Sequence, residues 1–99
     1  MSNSNKILIE FINYVKNLKH YSYHTIRSYR VDLNQFATFL SVNLEGQDIL
    51  DVDKYTIRNY LVYLDKKKYS NKTIARKLAT LKSFYKFLTY QSIISNNPL

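Results

Sequence analysis

Apolar side chains recur along this chain at steps of three and four rather than in alternation, the spacing of helices with one buried face. Leu8, Phe11, Ile12, Val15 and Leu18 mark such a face and predict a first helix from about Asn5 to Leu18. A second helix is expected to begin at Ser22, whose hydroxyl can cap free backbone N–H groups, and to end near Val42. Its apolar stripe is Ile26, Tyr29, Leu33, Phe36, Ala37 and Leu40. Asn43 to Val52 carries several acids and the only glycine, Gly46, and is expected to be a loop. A third helix follows Asp53, another cap, with Ile57, Tyr60, Leu61 and Leu64 inward. A fourth starts at the Ser70 cap and runs to about Tyr90, with Ile74, Leu78, Leu81, Tyr85 and Leu88 inward. Asn96-Asn97-Pro98 then stops any helix, because the residue before proline disfavours the α region. The predicted architecture is all-α: four helices forming two hairpins packed across each other.

The pattern is written twice. Tyr21-Ser22-Tyr23-His24-Thr25-Ile26 returns 48 residues later as Tyr69-Ser70-Asn71-Lys72-Thr73-Ile74. The register then holds without a gap, pairing Leu33 with Leu81, Phe36 with Phe84, Phe39 with Phe87 and Leu40 with Leu88. Eight of these twenty positions are identical, where chance gives about one or two. The preceding segments also correspond, one residue out of step: Leu8, Phe11, Ile12 and Val15 align with Ile57, Tyr60, Leu61 and Leu64. The repeated unit is a helix, a short connection and a longer helix.

Composition narrows the classes. With no cysteine, disulfides are excluded and a zinc ribbon is disfavoured. No window approaches the roughly 18 apolar residues of a membrane span. The start, Met1-Ser2-Asn3-Ser4-Asn5-Lys6, is too polar for a signal peptide, so a cytoplasmic protein is expected. The formal net charge is +8, and its placement says more than its size. Residues 1–65 hold seven basic and seven acidic residues. Residues 66–99 hold Lys66, Lys67, Lys68, Lys72, Arg76, Lys77, Lys82 and Lys86, with no acid. An AT-rich genome inflates lysine everywhere, but it does not account for an acid-free tail. One-sided charge points to a polyanion, with nucleic acid ahead of a membrane surface.

A turn of 100° per residue puts Lys72, Thr73, Arg76, Lys77, Thr80 and Ser83 on one arc of the fourth helix, with Phe84 and Phe87 intruding further along. A basic, hydroxylated helix start suits end-first entry into a major groove, hydroxyls and backbone N–H groups holding phosphates while Arg and Lys reach guanine edges. The second helix has the same plan with less charge: His24, Arg27, Ser28, Val31, Asn34 and Thr38 form its outward arc. Val31 suits a thymine methyl, although single exposed valines are ordinary. Ser22 and Ser70 serve as caps whatever else they do. Lys66, Lys67 and Lys68 fit a solvated helix end. His20 and His24 fit surface positions better than metal or catalytic roles. The ten tyrosines are expected mostly at core or boundary positions, Tyr23 being the one picked out as exposed.

These residues carry a family resemblance. Ser22-x-His24-Thr25-Ile26-x-x-Tyr29-x-x-Asp32-Leu33-x-x-Phe36-x-x-Phe39-Leu40 resembles the second helix of Xer-type tyrosine recombinases and phage integrases. Ser70-x-Lys72-Thr73-Ile74-x-Arg76-x-Leu78-x-x-Leu81-x-x-Phe84-Tyr85-x-Phe87-Leu88, closing on Asn97-Pro98, resembles the fourth. The resemblance implies a SAM-like core-binding domain over residues 1–95, with 96–99 opening a linker to a catalytic domain outside this stretch. It implies half of a C-shaped clamp on duplex DNA, the second and fourth helices crossing in the major groove. Thr25, Arg27, Ser28, Lys72, Thr73, Arg76, Lys77 and Thr80 are then the DNA-facing set, with His24, Val31, Asn34 and Ser83 beside them. Ser28 and Ala75 depart from the pattern, being small where related proteins often carry longer side chains. In that family the catalytic domain forms a 3′-phosphotyrosyl intermediate. Residues 1–99 hold no Arg, His and nucleophilic Tyr in the family's order, so this stretch is expected to bind DNA, to cut nothing, and to use no metal or cofactor.

Two other classes stay open. One is a helical protein-interaction module whose basic face docks an acidic partner. The other is a small helix-turn-helix transcription factor, disfavoured because its motif helices are short and only a few residues apart. On the leading reading the isolated domain is monomeric and meets other recombinase protomers only on DNA.

Overall fold

Three local helix-start signals organise the chain, and the computed structural model places each of them. It describes residues 2–99, with side chains from Asn5 onward; of the polar start expected to be no signal peptide, Met1 lies outside the described residues. The helices are α1 (Ser2–Asn17), α2 (Tyr23–Asn43), α3 (Lys54–Lys66) and α4 (Asn71–Tyr90). Among the described residues there is no strand. Ser22, Asp53 and Ser70 precede α2, α3 and α4 with extended backbones, and each accepts a hydrogen bond from the backbone N–H three residues on. Those bonds satisfy donors that a helix start leaves without intrahelical partners.

The helix ends show what one glycine in 99 residues entails. His20, Glu45, Lys68 and Ser92 all have φ between 55° and 69°, so each connection after a helix passes through a left-handed residue that carries a side chain. After α4 the geometry is a Schellman closure, with Ile93 N–H on Leu88 O at 2.9 Å and Ser92 N–H on Thr89 O at 3.0 Å. Gly46, at φ +81°, follows Glu45 in the α2 exit.

The chain divides into two compact units, Met1–Ile49 and Leu50–Leu99, each built around one helix pair. In the first, α1 buries Leu8, Phe11, Ile12 and Val15, and α2 buries Ile26, Leu33, Phe36, Phe39 and Leu40. Phe11 stacks on Tyr29 with ring centres 5.7 Å apart, and Tyr21 meets Tyr29 edge-on at 5.9 Å, tying the α1–α2 connection to the helix pair. Leu18, expected to face inward, is 71% exposed because α1 ends at Asn17 and the chain turns away there. The segment expected as a plain loop contains a 3₁₀ turn, Ile49–Asp51, and buries Ile49 and Val52, so it contributes to the core.

In the second unit, α3 buries Thr56, Ile57, Tyr60 and Leu64, while α4 buries Lys77, Thr80, Leu81, Phe84, Tyr85, Phe87 and Leu88. The α4 stripe therefore runs through 77, 80/81, 84 and 87/88, turned by roughly 60° from the line of Ile74, Leu78, Leu81, Tyr85 and Leu88. Ile74 and Leu78 are only half-buried. Phe84 and Phe87 are thus core residues, not intruders on a polar arc. The tyrosines are also more exposed than expected. Tyr60 and Tyr85 are buried, but Tyr21, Tyr23, Tyr55, Tyr69 and Tyr90 are exposed, and Tyr90 at 80% exceeds Tyr23 at 72%.

Candidate nucleic-acid interface

The two helix starts singled out in the sequence share one atomic arrangement. Ser22 Oγ accepts from Thr25 N–H at 3.2 Å and donates to Thr25 Oγ1 at 3.1 Å. Ser70 Oγ accepts from Thr73 N–H at 3.1 Å and donates to Thr73 Oγ1 at 3.1 Å. The Ser backbones agree as well, at φ −66° ψ 160° and φ −66° ψ 158°. Neither helix has an acid in its first turn. An anion arriving at either start therefore meets the positive end of the helix dipole with no carboxylate beside it in that turn.

Around the α2 start the outward arc holds as expected. His24, Arg27, Val31, Asn34 and Thr38 are exposed and Ser28 is half-buried. Thr25, with its hydroxyl already engaged by Ser22, is half-buried. Val31 keeps 53% exposure, and the His24 ring leans edge-on to exposed Tyr23 at 5.9 Å. Arg30, outside the predicted arc, is also exposed. It borders a cleft of about 320 Å³ between α1 and α2, with Leu8, Ile12 and Leu33 in its lining and Asn5, Asn13 and Asn34 at polar positions. Among the described residues lining that cleft Arg30 alone is ionisable, so the cleft offers no acid–base pair for chemistry.

Around α4 the predicted set divides. Lys72 and Arg76 are exposed, and Thr73 and Ser83 are half-buried. Lys77 and Thr80, expected on the same outward arc, are 5% and 1% exposed. Their placement is corrected by the register of the core stripe, which shares its face with Leu81, Phe84 and Leu88. Lys77 directs its ammonium over the Tyr69 ring, 5.2 Å from the centroid. Thr80 donates its hydroxyl proton back to the Arg76 carbonyl at 3.3 Å, the i−4 bond of a hydroxyl turned onto its own helix. Neither side chain is presented to a large polyanion.

Two cations outside the predicted set, Lys82 and Lys86, are exposed on α4. Their spacing from Lys72 was the available signal: steps of ten and fourteen residues bring a helix back to within about 80° and 40° of the starting side. The exposed cations of α4 therefore extend beyond its first three turns. At the α3–α4 connection Lys66, Lys67 and Lys68 are exposed, with Lys67 Nζ 5.2 Å over the Tyr63 ring. The α1–α2 connection repeats this contact, Lys19 Nζ lying 5.9 Å over Tyr14.

A family described as "Phage integrase, N-terminal SAM-like domain" matches residues 8–92. The chain is similar to the tyrosine recombinase XerC of Anoxybacillus flavithermus, 38% identical over 98 residues, covering 99% of this chain and 32% of that protein. It is 35% identical over 100 residues to XerC of Listeria innocua, covering 99% of this chain and 32% of the relative. With XerC of Leptospira interrogans it shares 38% identity over 95 residues, 95% of this chain and 30% of the relative. The chain thus spans about a third of the length of the curated relatives it matches. No solved structure matches it. Among the described residues no helix is long and apolar enough to cross a membrane.

Proposed function

This chain belongs to the family of phage integrase N-terminal SAM-like domains, and on that premise we propose that it grips duplex DNA in the major groove for a site-specific tyrosine recombinase. The observation that carries the reading is the α4 surface: a Ser70–Thr73 start without acids, followed by exposed Lys72 and Arg76 in a stretch of 34 residues, 66–99, that holds no carboxylate side chain. Phosphate oxygens fit the helix start and the lysine, and a guanine edge fits the Arg76 fork. Thr25, Arg27 and Ser28, with His24, Val31 and Asn34, form the second contact surface at α2. Lys77 and Thr80 leave the contacting set for the core. Ser83 stays at its border.

In this reading the domain is half of a clamp, residues 96–99 lead toward the other half, and bond cleavage belongs to the recombinase's catalytic domain. Recombinase protomers meet on the DNA, and the domain alone is a monomer of the cytoplasm. Binding is then mostly electrostatic. About four to six phosphate contacts, each contributing about 0.9 to the slope of log affinity against log salt, give weak and steeply salt-dependent association.

Fluorescence anisotropy with a labelled duplex tests this. Arg76→Ala and Lys72→Ala should each weaken binding, while Lys54→Ala, at the start of α3, should not. Equal losses from all three would mean undirected charge attraction. Amide shifts confined to the starts of α2 and α4 on DNA titration favour the clamp; no shifts at moderate salt favour an acidic protein partner.

A further inference from the structure

We infer that the cleft between α1 and α2 binds a small amphiphilic carboxylic acid, its apolar body on Leu8, Ile12 and Leu33 and its carboxylate on Arg30. Such a site lies at the edge of the α2 arc assigned to DNA and shares only Asn34 with it. The lining is laid out in rows. On α1, Asn5, Ile9 and Asn13 follow one another at steps of four and run along one edge of the helix for about 12 Å. On α2, Arg30 and Asn34 make the facing row. Between the rows the floor is apolar: Leu8, Ile12 and Leu33 are core residues that still border the cleft. Ile9 keeps 61% exposure on the rim. Arg30 is exposed, and among the described residues lining the cleft none carries a carboxylate.

The duplicated hairpin shows that the fold does not require this lining. On the shared register Leu78 stands where the first hairpin has Arg30, 48 residues on. With the one-residue step between α1 and α3, Val62 stands in the place of Asn13 and Arg58 in the place of Ile9. The floor, by contrast, stays apolar in both copies, Ile57, Leu61 and Leu81 answering Leu8, Ile12 and Leu33. The guanidinium and the amide on the first hairpin's rim are therefore additions to a common core. Size and charge define the occupant. About 320 Å³ lies at the low end of clefts that hold small molecules, roughly 300–1,000 Å³. Two turns of a partner helix, about 10–12 Å across with side chains, fill a larger volume than that. Arg30 presents a planar fork of donors that matches one carboxylate. Asn13 and Asn34 can add hydrogen bonds without adding charge. The aliphatic floor takes a short alkyl or aryl chain, whose seating also covers Ile9.

The experiment is an amide chemical-shift titration of the 99-residue chain with sodium octanoate. Saturable shifts are expected at Leu8, Ile9, Ile12, Arg30 and Leu33, with α3 and α4 quiet. Hexanoate should bind roughly tenfold more weakly, because a shorter chain buries less apolar surface. Octanol, with the same chain and no charge, should also bind about tenfold more weakly than octanoate. Arg30→Gln should abolish that difference and keep the thermal midpoint, because the side chain is exposed. Octanoate shifts centred on the α4 cations, or acetate reproducing the octanoate shifts, would mean charge attraction alone and overturn the proposal. Equal affinity for octanol and octanoate overturns the role of Arg30 and with it the ligand class. The absence of saturable shifts on α1 and α2 overturns the site itself. Tighter binding of acetyl-leucyl-glutamyl amide than of octanoate assigns the cleft to a protein segment and overturns the free acid. Duplex binding enters none of these readouts, so this site and the DNA reading fail separately.

Discussion

Lys77 lies over the ring of Tyr69, ammonium to centroid 5.2 Å, with 5% of the lysine exposed and the tyrosine at 36%. A cation over an aromatic face contributes about 0.5–1 kcal/mol at an exposed site and up to about 2 when desolvated. The buried stem adds packing to that.

Lys77 should therefore behave as a structural residue. Lys77→Ala is expected to cost about 1–3 kcal/mol of stability in denaturant unfolding. At temperatures where the variant remains folded, its DNA salt slope should match the parent's. A slope reduced by about one, with stability intact, would return Lys77 to the contact surface.

The matched caps make a second pair of predictions. Ser22→Ala and Ser70→Ala should each lose about 1 kcal/mol. Ser70→Asp should keep the cap and the thermal midpoint, because a carboxylate also accepts the Thr73 N–H. It should nevertheless weaken duplex binding, since its charge occupies the place proposed for a phosphate. Unaltered affinity in Ser70→Asp would remove the α4 start from the interface.

The left-handed helix exits can be relieved. His20→Gly and Ser92→Gly should each raise stability by about 0.5–1 kcal/mol, because glycine takes positive φ without the Cβ penalty that L-residues meet there. Differential scanning calorimetry reads the gain. Lower midpoints would mean that the side chains hold more than the backbone strain costs.

Asp53 supplies a pH dependence. Its carboxylate accepts the Thr56 backbone N–H at 2.9 Å, and that bond holds its pKa below the usual 3.8. A folded pKa below the unfolded value gives stability that is present above the unfolded pKa and lost as pH falls through the folded one. Acid unfolding followed between about pH 5 and pH 2 should show this contribution fading below about pH 4. Asp53→Asn, which keeps a capping oxygen without the titration, should flatten that part of the profile.

Much of the fold is legible in the sequence because helix boundaries are set by short local rules. Ser22, Asp53 and Ser70 cap where their chemistry suits, and a strict 48-residue register exposes the duplicated hairpin. The α4 face is less legible because a polar letter suggests an outward side chain. Lys77 and Thr80 can be buried, one through a long apolar stem over Tyr69, the other by bonding its own backbone. Phe84 and Phe87 on the same side already point to the true core line. Leu18 misleads in the opposite way: its apolar side chain fits the periodicity, but the helix stops one residue earlier. The left-handed exits carry no letter signal at all, since His, Glu, Lys and Ser occupy places where glycine is the expected marker.

The Ser–Thr helix start is present twice with the same geometry, while the surplus cations follow only the second copy. On the DNA reading, this gives capture a sequence in time. Long-range attraction draws the duplex toward the Leu50–Leu99 side and acts on the association rate, whereas the nearly neutral copy engages only at short range and acts on how long the complex lasts. Raising the ionic strength would then slow arrival far more than it hastens departure.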